Sequence, residues 1–253
     1  MAKTMASTSE TGHAKNAANF EDLISFCTDY GTAYNPSKAA IQIPSLQALR
    51  TTAQNDLSSL TTVNSMFINA TNARQAVFNP LRPLATRIVN ALDASETSDR
   101  LVEDARTINR KIQGSRSGKL TKADAGIIAD EPTETAKNIS VSQQSFDSLI
   151  ENFKRLIELV ASEPTYTPNE PELQVATLTA QAADLEAKNT AVIDATTKVS
   201  NARIARNSTL YNKDTGLVDI AGEVKKYVKS VFGATSPQYK QISKISFTRP
   251  KKK

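Results

Sequence analysis

Tyr34 and Lys38 stand four residues apart in Tyr34-Asn35-Pro36-Ser37-Lys38, a spacing at which an ammonium lowers a phenol's pKa so that it can trade a proton with a substrate. That chemistry works beside a dinucleotide held on a glycine-rich strand-to-helix turn. The 33 residues before Tyr34 contain no such turn, so the spacing is not a catalytic pair. Gly114-Ser115-Arg116-Ser117-Gly118-Lys119-Leu120 gathers glycine and cations as a phosphate-cradling loop does. It is one residue short between the glycines, places Leu120 where a magnesium-binding hydroxyl belongs, and follows no apolar strand; it reads as a basic loop. His13 is the sole histidine and lies in a polar stretch, which leaves a Ser-His-Asp relay or a histidine metal site without its parts. Cys27 is the only cysteine, so one chain can build neither a disulfide nor a thiolate metal site, and a buried, inert thiol is expected. No catalytic, metal or cofactor-binding residue is assigned, and no cofactor is expected.

The remaining chemistry is charge. Asn72-Ala73-Arg74 recurs as Asn201-Ala202-Arg203, and two related guanidinium groups could clamp an anion or a partner carboxylate. The favoured reading is structural, with Arg74 and Arg203 near helix ends bonding loop carbonyls of the opposite unit. From Val224 to Lys253 there are nine basic residues and no acid; the rest of the chain holds 22 basic against 26 acidic residues, a net −4 beneath an overall +5. Ala105 to Ala123 is a second acid-free stretch, while Asp130 to Glu172 has nine acids against three bases. The candidate contacts to a protein partner or to nucleic acid are Arg74, Arg203, Arg110, Lys111, Arg116, Lys119, Lys240, Lys244, Arg249, Lys251, Lys252 and Lys253. Tyr227, Phe232, Tyr239 and Phe247 interleave with the tail lysines at spacings that suit base stacking and packing equally.

The elements that position these residues read as helices. Eight Gly, no Trp and six per cent aromatics disfavour a sheet. A helix is expected from about Phe20 to Gly31. The apolar series Leu46, Leu49, Ala53, Leu57, Leu60, Val63, Phe67, Ala70 and Val77 alternates three and four, the seam of a long helix from Pro44 to Phe78. Shorter helices follow around Leu84 to Leu92 and Leu101 to Ile112, then Phe146 to Val160. A second long helix is expected from the capping signals at Thr167 and Asn169 to about Asn207, with further helices at Leu217 to Val231 and Gln238 to Lys244. Ile245 to Lys253 is expected to be extended or disordered. No stretch approaches the roughly 18 apolar residues that span a bilayer.

Several segments recur in one order. Phe20-Glu21-Asp22-Leu23-Ile24 returns as Phe146-Asp147-Ser148-Leu149-Ile150, Tyr34-Asn35-Pro36-Ser37 as Tyr166-Thr167-Pro168-Asn169, and Leu46-Gln47 as Leu173-Gln174. An internal duplication with loop insertions follows as the expectation, and it requires Leu46 and Leu173 to occupy equivalent elements. The expected organisation is a disordered leader over 1–19, helical units over 20–113 and 142–235, a basic-to-acidic connector over 114–141, and a basic tail over 236–253. The expected fold is all-α: an elongated antiparallel helical bundle built from two duplicated helical units that share one core.

Asn201-Ala202-Arg203-Ile204-Ala205-Arg206-Asn207, Thr215-Gly216-Leu217-Val218-Asp219 and Val228 through Gln238 resemble segments of a family of bacterial all-helical proteins with no assigned activity. The likeness extends over most of the chain beyond residue 20. It implies a recurrent helical scaffold and assigns no site. The functional expectation is a cytoplasmic, non-enzymatic structural or protein-interaction scaffold that contacts other protein chains, further copies of itself included, through helical faces and acidic-to-basic contacts. The alternative is a non-specific nucleic-acid binder using the basic connector and tail; a membrane is not an expected partner.

Overall fold

The computed structural model describes residues 8–114 and 144–250. Among them are eight α-helices and no strand: α1 (Thr8–Asp29), α2 (Ile43–Phe78), α3 (Leu81–Asp93), α4 (Asp99–Gln113), α5 (Phe146–Ala161), α6 (Val175–Tyr211), α7 (Leu217–Phe232) and α8 (Pro237–Ser243). The protein is all-α. Serine side chains cap three of the helices by accepting from a backbone N–H in the first turn: Ser98 from Leu101, Ser145 from Ser148 and Ser236 from Tyr239. Pro80 ends α2, and Gly114 closes α4 with φ +71°, a conformation that L side chains adopt rarely. A Cβ on Gly114 would also stand 2.8 Å from the end of the Gln144 side chain, which would have to shift. Among the described residues, no helix is long and apolar enough to cross a membrane.

The seams read from the sequence are visible in the burial. Leu46, Ala53 and Leu60 are buried along α2, and Leu178, Leu185, Val192 and Val199 along α6, each at intervals of seven. Seven residues make almost two helical turns, so these side chains return to one face.

The chain divides into two units, Met1–Phe67 with Ala195–Lys253, and Ile68–Asp194. This division cuts across the blocks expected over 20–113 and 142–235, and the single shared core expected from the sequence is replaced by two. Each unit joins the start of one sequence block to the end of the other, and α2 and α6 each give residues to both. In the first unit, Phe20, Leu23 and Cys27 of α1 share a core with Leu46, Leu210, Leu217, Val224 and Ile242. In the second, Ile88 and Leu92 of α3 share a core with Ile112 of α4, Phe153 and Leu156 of α5, and Leu178 of α6.

Three sequence expectations need correction. The segment 1–19 is not a disordered leader throughout, because α1 begins at Thr8 and buries His13 and Asn16. His13 Nδ1 lies 2.6 Å from the Tyr211 hydroxyl, and Asn16 pairs with Thr248 through both its amide groups, so partners distant in sequence satisfy these polar groups. The second long helix starts at Val175 rather than at the capping signals, since Pro171–Leu173 forms a separate 3-10 turn. Leu46 and Leu173 are not equivalent, one lying inside α2 and the other in that 3-10 turn, so the duplication in the register that paired them is overturned. Phe20 lies deep in α1, fully buried, whereas Phe146 opens α5 and is only partly buried.

Burial recurs at other separations. At 133 residues, Phe20, Leu23, Ile24 and Cys27 match Phe153, Leu156, Ile157 and Val160; at 132, Tyr34, Ile41, Leu46 and Leu60 match Tyr166, Leu173, Leu178 and Val192. At 136, Leu81, Ala85, Ile88 and Leu92 match Leu217, Ala221, Val224 and Val228. The helix order is also alike in the two halves, α1 to α4 and α5 to α8, with a long helix second in each; two 3-10 turns, Gly31–Ala33 and Ala39–Ile41, precede α2, and one, Pro171–Leu173, precedes α6.

The tail from Ile245 to Arg249 is extended and held. Asn19 donates to the Ser246 carbonyl at 2.6 Å, Lys225 donates to the Ile245 carbonyl, and Arg249 pairs with Asp219 and donates to the Tyr211 carbonyl at 3.1 Å. Residues 245–249 therefore form a strap on the first unit.

Candidate functional site

Unit Ile68–Asp194 contains a cleft of about 410 Å³ where the end of α2, the first turn of α3 and the start of α5 meet. Its position follows from helix punctuation. Phe78 is the last residue of α2, Pro80 turns the chain, and Leu81 and Arg82 open α3; Ser145 caps α5 so that Phe146 enters on its first turn. The Phe146 ring meets Phe78 edge-on, centroids 4.8 Å apart. The Arg74 guanidinium stacks over Phe146 with its carbon 3.8 Å from the ring centre, a cation–π contact.

Arg74 Nη1 donates to Asn189 Oδ1 at 3.0 Å, and Asn189 Nδ2 donates to Asp147 Oδ1 at 2.7 Å. Asn189 thus stands between the charges as a buried amide relay on the seam of α6. Burial pulls the Arg74 pKa below the ordinary arginine value, and Asp147 offsets part of that effect. Arg74 Nε is buried without an acceptor. Arg82, exposed at the rim, is fixed by donating to the Ile112 carbonyl at 3.2 Å and to Gln144 Oε1 at 2.9 Å. Gln144 in turn donates to the Lys111 carbonyl. Among the described residues, the cleft wall carries two guanidiniums, amides and aromatic surface but no carboxylate. It can bind negative charge.

A second cleft of about 500 Å³ in the same unit is lined by Leu81, Leu84, Phe153 and Leu185. Its charges are already matched, since Arg87 pairs with Glu172 at 2.7 Å.

The residues expected from sequence are dispersed. Arg74 enters the cleft, whereas Arg203 is exposed on α6 in the other unit. Neither bonds a loop carbonyl as expected: Arg74 spends its hydrogen bond on a side-chain amide, and the recurrent separation of 132 matches it with the buried Arg206 instead. Arg110 is paired with Glu103 at 3.0 Å, and Lys111 lies in the last turn of α4, where a cation favours the carbonyl end. Arg249 is paired with Asp219, while Lys240 and Lys244 are exposed. Arg116, Lys119, Lys251, Lys252 and Lys253 lie outside the described residues. The four tail aromatics are engaged in packing: Tyr227 on Tyr34, Phe232 on Tyr30, Tyr239 over Lys229 and Phe247 over Lys225.

The Tyr34 and Lys38 spacing has a structural use. Tyr34 is buried and donates to the Ile41 carbonyl at 2.6 Å, and burial drives its pKa up; Lys38 turns away to pair with Glu223 at 2.7 Å. Burial likewise pushes the Cys27 thiol up to about 12, which keeps it protonated. Sequence reasoning missed Arg82, Phe146 and Asn189. Their one signal was the paired punctuation of Pro80 and Ser145, which brings two helix starts together only in three dimensions. No family model, curated protein or solved structure matches the chain.

Proposed function

We propose that the protein is a non-enzymatic helical scaffold, the product of an internal duplication, that acts by contact with other protein chains, further copies of itself included. The observation that carries this reading is where large apolar side chains stay exposed. Met66 and Ile68 on α2, and Ile193 and Ile204 on α6, are each at least half accessible. Isolated exposed apolar residues are ordinary, but here four of the five large apolar side chains exposed among the described residues sit on the two long helices. The recurrent separations of 132, 133 and 136 support the duplication, and a free, buried Cys27 suits a reducing, cytoplasmic setting.

Light scattering and sedimentation at low and high salt test the assembly. The expected result is a concentration-dependent oligomer that Ile204→Asp and Ile193→Asp each weaken by about tenfold or more, as burying an unpaired carboxylate requires. A strict monomer at both salts and at high protein concentration overturns it.

A further inference from the structure

We propose that the cleft of Arg74, Arg82, Phe78 and Phe146 is a binding site for an amphipathic carboxylate: one carboxylate beside an aromatic or branched apolar group. Charge in the cleft is unbalanced. In this unit Arg87, Arg106, Arg110 and Arg155 each reach a carboxylate within 4 Å; the two arginines that share the cleft do not, and outside it the exposed Arg100 of α4 is the other described arginine of the unit without one. Arg74 has only a neutral amide and an aromatic face, and its Nε has no acceptor. Asp147, whose charge acts on Arg74, is engaged by Asn189.

The two guanidiniums are also preorganised. Phe146 and Asn189 hold Arg74, and the Ile112 carbonyl and Gln144 hold Arg82, so neither guanidinium loses much freedom when an anion arrives. A cleft of about 410 Å³ is within the size range of small-ligand pockets, and Phe78, Phe146 and Leu149 supply apolar wall for the rest of the molecule.

The other unit offers a parallel. At the recurrent separations, Leu149 and Asn79 of the cleft correspond to Asn16 and Tyr211, which hold the strap through Thr248 and Arg249. There the occupant is a strap of this chain that brings a cation, Arg249. Here the protein supplies the cations, so the complementary occupant brings the carboxylate.

The test uses the full-length protein and two probes, N-acetylphenylalanine and a blocked hexapeptide ending in a phenylalanine carboxylate, each against its C-terminal amide. Binding is read by calorimetry and by shifts of the arginine side-chain N–H signals in NMR. The carboxylates are expected to bind about tenfold or more tightly than the amides, from charge-assisted hydrogen bonds. Arg82→Met, at an exposed position, is expected to lose that advantage while native helicity is kept, although the hydrogen bonds to the Ile112 carbonyl and Gln144 go with it; Arg74→Met is the second variant. Tighter binding of the hexapeptide identifies a polypeptide terminus as the source, and equal binding identifies a free small acid. Equal binding of acid and amide, or an Arg82→Met protein that keeps the preference, overturns the proposal. Neither result depends on whether the protein self-assembles.

Discussion

Tyr34 and Tyr166 each close a proline-containing loop by donating to the carbonyl seven residues ahead, Ile41 at 2.6 Å and Leu173 at 2.9 Å. Both tyrosines are buried, and burial pushes the Tyr166 pKa up to about 12, so both remain neutral donors at all ordinary pH. Tyr34→Phe and Tyr166→Phe are each expected to cost about 1–2 kcal/mol in urea unfolding, because a buried carbonyl loses its donor. A loss below about 0.3 kcal/mol for either would show that its hydroxyl is idle. The recurrence of Tyr34 and Tyr166 was legible in the sequence; the role was not. A Tyr-Asn-Pro-Ser string reveals a turn, whereas the carbonyl it locks is named only by the fold. His13 shows the same limit from the other side. Composition assigns it to solvent, and its burial depends on Tyr211, which lies 198 positions away.

Helix punctuation was read well at the level of elements, and register was not. The phenylalanine match at a separation of 126 is a slip of seven from the 133 at which burial recurs. Seven residues are nearly two turns, so a slipped alignment still lays apolar residues on one face and looks sound in one dimension. The strap was legible only as a basic, extended tail. Its attachment depends on Asp219, whose pKa is held below the ordinary 3.8 chiefly by the Arg249 hydrogen bond and also by the backbone N–H of Asp214. A depressed carboxylate pKa stabilises the folded state fully above its unfolded value, and that contribution fades as pH falls through the folded value. Protection of the Thr248 amide, which donates to Asn16 Oδ1, should therefore be steady from neutral pH down to about 5 and decline below about 4. Asp219→Asn should lower protection at neutral pH and abolish the decline. An unchanged profile in that variant would separate the strap from this ion pair.

The whole molecule is organised around two cores that draw on the same two long helices. Phe153 is fully buried in the second unit, and Phe153→Ala is expected to cost about 3–5 kcal/mol from lost contacts and the cavity left behind. Because α2 and α6 contribute to both cores, the loss should also raise amide exchange in α1, which belongs to the first unit. Exchange in α1 that ignores Phe153→Ala would show that the cores unfold independently. The crossing of chain between cores also bears on how this protein could be divided. Opening the polypeptide between Gly114 and Gln144 would yield two fragments, one ending after α4 and the other beginning before α5, with neither core complete in either. Each fragment would hold the missing half of what the other needs, so the molecule lends itself to reconstitution from separately made pieces, with native helicity as the sign that they have met.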